Sequence, residues 1–421
     1  MDENRVPAYL NLIQQLLSCP KAEEAEILQA NSELLDLGFL LACEIIAEKL
    51  AESGNENGAD FLRNLASQLG NIEQAIASYT AALQVRIRED RADNIEKAIA
   101  SYTAALQVYT REAFPQDWAM TQNNLGNAYR DRIREDRADN IEKAIESYNA
   151  ALNVVTREAF PENWAMTQNN LALAYSDRIR GERADNLEKA IEFYNAALKV
   201  YTREAFPENW AMTQNNLALA YSDRIRGERA DNIEKAIASY NAALAVRTRQ
   251  ALPQDWAKTQ HNLAAAYSDR IRGERADNLE KAIESFNAVL DVYTRQALPQ
   301  DWAMTQNNLA NAYSKRIRGE RADNLEKAIE FYTAALTVST RDAFPQDWAM
   351  TQNNLAIAYS NRIRGERADN LEKAIEFYTA VLDVYTRQAF PEQWAKTQNN
   401  LATAYSDRIR GERADNLEKA I

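Results

Sequence analysis

Apolar residues recur along this chain with a period of 46. Trp118, Trp164, Trp210, Trp256, Trp302, Trp348 and Trp394 mark the period, and the interval never slips by one residue. Within one unit, Phe160 to Ala205, the pattern splits into two segments. The first opens at Pro161, whose missing N–H is no loss in a first helical turn. It is expected to run to near Gly181. The second opens with Asp185-Asn186-Leu187-Glu188, the spacing of a capping box. It places Leu187, Ala190, Ile191, Tyr194, Ala197 and Leu198 on one helical face, and Pro207 is expected to close it. The pattern predicts helix, short turn, helix, short turn, with no strand. A period of this length signals stacked units that touch only their neighbours, so the product is a long surface.

The first helix can be placed on a wheel at about 100° per residue, counting from Trp. Trp, Leu at +7, Tyr at +11 and Ile at +15 then fall within about 80° of each other and are expected to form the packing stripe. In the second copy these are Trp164, Leu171, Tyr175 and Ile179. The copies differ at +2, +5, +8, +9, +12 and +13, which lie mostly on the opposite face. Offset +9 varies most: Asn127, Leu173, Leu219, Ala265, Asn311, Ile357 and Thr403. Leu and Ile are unusual on a purely solvated face, so this face is a candidate binding surface.

Three regions depart from the period. Residues 1–70 do not repeat and read as helices at 6–18, 21–30, 33–52 and 58–69. A solenoid needs a capped end, and this segment is expected to supply it. Residues 71–114 form an irregular entry. IEQAIASYTAALQV (72–85) recurs as IEKAIASYTAALQV (95–108), half a period later, so one Trp-bearing helix has been lost between them. The regular array spans 115–421, with six full helix pairs and a seventh expected to be cut short at Ile421.

The formal charge is −13 and the pI near 4.9. No basic block exists, which argues against a nucleic-acid footprint. The most apolar stretch, residues 34–50, is broken by Asp36 and Glu44 and is shorter than the roughly 20 residues that span a bilayer, so no membrane span is expected. Cys19 and Cys43 are the only cysteines. They allow no zinc spacing or disulfide framework. With an N-terminus that does not read as a signal peptide, they point to a cytoplasmic protein. There is no Gly-rich phosphate loop and no nucleophile constellation. His261 is the only histidine. No catalysis, cofactor or metal is expected within these residues.

NNLANAYS…NLEKAIEFYTAAL, within 307–336, resembles the tetratricopeptide repeat pattern. Leu125, Gly126 and Tyr129 match its first helix, and Ala144, Tyr148 and Ala151 its second. The match covers 71–421 but departs in length, at 46 residues against the family's usual 34. The resemblance implies an all-α fold: a right-handed solenoid of antiparallel helix pairs whose first helices line a concave groove that holds a protein or extended peptide. The run AFPxxWAxTQNNLAxAYSxRIRGERADNLE and the acidic helical lead-in are similar to long-repeat arrays of cyanobacterial proteins. There the array often precedes a CHAT domain, a caspase-like protease, and can serve as its sensor or regulatory part. In some such superhelices a ladder of asparagines holds the ligand backbone. The candidates here are Asn124, Asn170, Asn216, Asn262, Asn308, Asn354 and Asn400 at +6. A second rail at +5 contains Asn123, Asn169, Asn215, His261, Asn307, Asn353 and Asn399. An amide offers two donors and an acceptor to a peptide group whatever the ligand's side chains. Asp177, Asp223 and Asp269 at +13 suggest a neutral or basic peptide. The alternative is a self-associating scaffold with no groove ligand. The oligomeric state is left open.

Overall fold

The computed structural model describes residues 5–20, 23–31, 34–35, 37–53 and 55–420. Over 67–90, and at a few isolated helical positions, it describes the backbone alone. Among these residues there are eighteen helices and no strand. The chain divides into two compact units, residues 1–84 and 85–421.

The first unit contains α1 (Val6–Ser18), α2 (Glu24–Ala30), α3 (Leu37–Glu52) and the beginning of α4 (Glu56–Ala105). Tyr9, Leu12, Ile13 and Leu16 of α1 share a buried cluster with Phe39 and Cys43 of α3 and with Leu62. Burial and the neighbouring Glu44 push the Cys43 thiol up to about 12, so it is an inert core residue. Three expected helices are found, with later starts for α2 and α3. The fourth does not stop at 69: α4 continues for 50 residues. The lost Trp-bearing helix took with it the proline that starts each first-type helix, and without it nothing in the sequence from 71 to 105 interrupts an α-helix.

The second unit holds the repeated pairs: α5 (Pro115–Asp131) with α6 (Arg137–Leu152), α7 (Pro161–Asp177) with α8 (Arg183–Ala197), and α9 (Pro207–Asp223) with α10 (Arg229–Leu244). Then follow α11 (Pro253–Asp269) with α12 (Arg275–Leu290), α13 (Pro299–Lys315) with α14 (Arg321–Leu336), and α15 (Pro345–Ser360) with α16 (Arg367–Val381). The last are α17 (Pro391–Ser406) and the short α18 (Arg413–Ala420). This is an all-α solenoid of helix pairs, as the period implies.

The turn within each pair differs from the sequence reading. α7 ends at Asp177, four residues before Gly181, and Arg178 is already extended at φ −64°, ψ 126°. Gly181 takes φ +77°, a left-handed conformation natural to glycine. In the first pair Glu135 holds that position at φ 63°. Buried Asn186 ties the turn together: its Nδ2 donates to the Arg180 carbonyl at 2.9 Å, and its Oδ1 accepts from Arg178 Nη1 at 3.4 Å. The second helix therefore starts at Arg183, and Asp185 and Glu188 lie inside it rather than capping it. Among the described second helices of the pairs, α6 keeps a side-chain cap, Asp136 accepting from the Asp139 N–H at 2.9 Å.

Asp185 and Glu188 instead face the next unit. Arg224 Nε and Nη2 each donate to Glu188 at 2.8 Å, a bidentate fork. The same fork joins Arg132 to Glu96, Arg178 to Glu142, Arg270 to Glu234, Arg316 to Glu280, Arg362 to Glu326 and Arg408 to Glu372. A second, more exposed pair runs beside each fork, Arg226 with Asp185 for instance.

The apolar core is continuous across units. Ile141, Ala144 and Tyr148 of α6 pack with Leu171 and Tyr175 of α7, Tyr194 of α8 and Leu217 of α9. The expected packing stripe is corrected at both ends. Trp164 and Trp210 are half-buried in a separate cluster with Ala165, Ala197, Tyr201 and Phe206. Ile179 is 60 % exposed, because the helix has ended before +15 and the wheel no longer applies.

The fork makes two expectations. Arg224→Ala should cost about 1.5–3 kcal/mol locally, the range for hydrogen bonds to charged groups, and split the denaturation transition. Arg224→Lys should recover only part, lacking the fork. A single transition superposing on the parent's would remove the fork from the set of stabilising contacts. The forks also hold the Glu142, Glu188, Glu234 and Glu280 carboxyls below their usual range, the arginine hydrogen bond being the first cause. Their contribution is complete above the unfolded carboxylate value, about 4.3, and is lost as pH falls through the folded one.

Candidate functional site

The accessible face of the first helices is narrower than the variable face read from sequence. In α7, α9 and α11, the residues at +1, +3, +5, +7, +8 and +10 are buried. They cover roughly 220° of the wheel. From α7 to α15, each first helix touches its own partner, the preceding second helix and the first helices on either side, so most of its circumference is packed. The stripe left outward holds +2, +6, +9 and +13, within about 60°. In α9 these are Met212, Asn216, Leu219 and Asp223, all half-buried or exposed.

The two asparagine rails part company here. At +5, Asn123, Asn169, Asn215, His261 and Asn307 are 1–5 % exposed. At +6, Asn124, Asn170, Asn216, Asn262, Asn308, Asn354 and Asn400 are all half-buried. The rails bond to each other across units. Asn170 Nδ2 donates to Asn123 Oδ1 at 3.2 Å, Asn262 to Asn215 at 3.3 Å and Asn354 to Asn307 at 3.4 Å. The Oδ1 atoms of Asn123, Asn215 and Asn307 are thus occupied between helices, the rail opens at its end, where Asn353 is half-buried and Asn399 exposed, and each +6 amide keeps further hydrogen-bonding capacity at the surface.

Offset +9 is mixed. Asn127 and Asn311 accept from the Tyr148 and Tyr332 hydroxyls at 2.7 Å, so these two asparagines serve buried tyrosines. Leu219 is 40 % exposed, Thr403 is exposed, and Leu173, Ala265 and Ile357 pack partly against the core. The aspartates at +13 are balanced in place. Asp177 lies 3.5 Å from Arg137, Asp223 3.6 Å from Arg183 and Asp269 3.7 Å from Arg229, each arginine opening the preceding second helix. They present less free negative charge than their sequence suggests, and no periodicity argument could have revealed those partners.

Two cavities open on this stripe. One, of about 560 Å³, is lined by Asn124, Asn127 and Asp131 of α5 with Asn94, Ala98 and Tyr102 of α4. The other, of about 390 Å³, lies between α11 and α13 and is lined by Asp255, Lys258, His261 and Asn262 with Tyr293, Asp301 and Met304. Here Lys258, like Lys396 of the last unit, stands where the other units have methionine, and His261 replaces an asparagine.

His261 is fully engaged. Thr305 Oγ1 donates to the Asp301 carbonyl at 2.7 Å and therefore accepts from His261 Nδ1 at 3.0 Å. Nε2 is left to accept from Asn308 Nδ2 at 3.0 Å. This network assigns a neutral ring protonated on Nδ1, and burial pushes its pKa down to about 4. Among the described residues no cluster of three or more His, Cys, Asp or Glu is placed to hold a metal. Nor is any helix long and apolar enough to cross a membrane.

A family profile described as tetratricopeptide repeat matches residues 118–161, 164–204, 210–246, 256–291, 302–336 and 348–384, more than half of the sequence. The chain belongs to the tetratricopeptide repeat (TPR) family. No curated protein matches it in sequence. Among solved structures, this TPR chain is similar to the C-terminal part of a TPR repeat-containing protein from Cytophaga hutchinsonii. Identity is 14 %, covering 78 % of this chain and 98 % of that one, with a TM-score of 0.37. It is also similar to the human IFIT1 dimer with PPP-AAAA, at 16 % identity, 100 % and 94 % coverage and a TM-score of 0.40. A third is the P58(IPK) TPR domain, at 13 % identity, 96 % and 99 % coverage and a TM-score of 0.27.

His261 gives this TPR array a local pH dependence. Its folded pKa lies below the usual 6.5, so the unfolded chain binds more protons between the two values, and stability falls as pH drops from about 6.5 toward 4. His261→Asn restores the residue found in the other units. The parent should lose stability relative to this variant by on the order of 1 kcal/mol per pH unit across that window. Denaturation midpoints of both proteins from pH 7 to 4.5 measure it. A constant difference would mean that the ring is not held neutral.

Proposed function

We propose that this TPR scaffold binds an extended segment of a partner protein along the outward stripe of its first helices. The observation that supports this reading is the stripe's composition. Asn recurs at +6 in all seven copies, while +9 is Asn, Leu, Ala, Ile or Thr, +2 is Met or Lys, and +13 is Asp, Lys or Asn. Constant amides suit a ligand's backbone, and changing neighbours suit its side chains. Packed helices lie about 8–10 Å apart and an extended chain rises about 3.3 Å per residue. Successive rungs therefore meet the ligand every several residues. Along the first four pairs, where the aspartates are paired with arginines, a neutral segment fits best. A downstream caspase-like domain, as in the CHAT arrays this chain resembles, would make the scaffold its sensor, and the reading frame beyond Ile421 tests that part.

Self-association is the second reading, and one observation favours it. Ile179, Ile225, Ile271, Ile317, Ile363 and Ile409 stand 58–62 % exposed, one in each turn between paired helices after the first, where Ile133 is 37 % exposed. Sedimentation velocity over a range of concentrations separates the two readings.

Two variants test the groove. Asn216→Ala, Asn262→Ala and Asn308→Ala combined removes three rungs. Leu219→Asp with Met304→Asp alters exposed positions of the same stripe without entering the core. Both should keep the helical circular-dichroism signal and lose at least about tenfold in affinity for a partner identified by affinity capture and remade in purified form. Hydrogen exchange on that partner should find one protected extended segment. Unchanged affinity in the second variant would exclude the stripe as the binding face.

A further inference from the structure

The row of ion pairs at +13 breaks in the fifth and sixth pairs. Arg137, Arg183, Arg229 and Arg367 each open a second helix and meet Asp177, Asp223, Asp269 and Asp407 of the next unit at 3.5–3.7 Å. At the equivalent steps Arg275 faces the position of Lys315, and Arg321 that of Asn361. Two successive acids are therefore absent, and one is replaced by a cation, a local gain of three positive charges over the regular pattern. Among the described residues no carboxylate lies within ion-pairing distance of Arg275, Lys315 or Arg321. The guanidiniums of Arg275 and Arg321 keep only the carbonyls of Ser268 and Ser314. Lys315 and Arg321 are exposed and Arg275 is half-buried. Offset +13 opens on the same surface as +6 and +9, as the cavity shared by Asn124, Asn127 and Asp131 demonstrates.

We propose that Arg275, Lys315 and Arg321 form an anion-binding step in the groove that receives an acidic side chain, Asp or Glu, of the bound segment. The proposal rests on the groove reading and adds a polarity to it: the ligand is neutral along the first four pairs and acidic where it crosses the fifth and sixth. Protein carboxylates fit better than a nucleic-acid backbone. Glu274 and Glu320 flank Arg275 and Arg321 in sequence and are exposed, while Asp277 and Asp323 are taken up by Arg318 and Arg364; a continuous polyanion would run into the two glutamates, whereas one or two carboxylates would not. A lysine placed only to complement the end of α13 would show no such preference.

The test uses the full chain and three fluorescein-labelled peptides of equal length, Glu-rich, Gln-rich and Lys-rich, with a single-stranded oligonucleotide as a fourth probe, read by anisotropy. The Glu-rich peptide should bind about tenfold more tightly than the Gln-rich one, and the preference should shrink as salt rises. Lys315→Asp with Asn361→Asp restores the residue that the five other units carry, so the variant has a precedent for folding within this chain. It should abolish the preference. Equal binding of the Glu-rich and Gln-rich peptides, or a preference that survives the variant, overturns the anion step and leaves the groove reading standing. Failure of all three peptides overturns both. Binding of the oligonucleotide with the Glu-rich peptide silent overturns the assignment to protein carboxylates.

Discussion

The contact on which this molecule depends is the arginine fork between neighbouring units. Arg178 ends the straight part of its own helix, donates twice to Glu142 of the unit before, touches buried Asn186 of its own second helix and lies 5.5 Å over the Tyr175 ring. One side chain thus fixes the turn within a pair and the register between pairs. Exposed ion pairs contribute little on their own. These are two-pronged, only about a quarter exposed, and repeated in every unit. The stripe of accessible residues follows from them, since they set how far each first helix is turned toward its neighbours.

Much of this was written plainly in the sequence. The period, the two helices per unit, the absence of strands and the proline starts all follow from spacing alone, because they are properties of a chain folding on itself locally. What spacing could not supply was partners in the next unit. Asp185 and Glu188 have the right separation for a capping box, yet their carboxylates reach the next unit's arginines, and the helix starts two residues earlier. Ile179 continues the wheel on paper, yet the backbone has already left the helix. Asn169 and Asn170 are equally polar neighbours, and only three-dimensional packing decides that the first is enclosed and the second reaches the surface.

One nonapeptide makes the same point. RIREDRADN occurs at 86–94 and again at 132–140. The first copy lies within α4 and is helical throughout. The second forms the turn between α5 and α6, with Glu135 in a left-handed conformation. In the second copy Arg132 has Glu96 to grip and Asn140 closes on the Arg134 carbonyl at 2.8 Å. Identical residues fold differently because the turn is stabilised by what lies across from it, and local propensity is too weak to decide between the two forms.

The forks always join residues 36 positions apart, one unit to the next. An insertion or deletion of one whole period therefore brings an arginine opposite a glutamate that looks the same as the one it lost, and the junction closes as if nothing had happened. A change of half a period cannot do this. It sets two second-type helices end to end, and the 50-residue α4 is the scar. Array length is consequently free to drift in steps of 46 during descent, and with it the span of partner that the surface can cover, while every intermediate length remains a foldable protein.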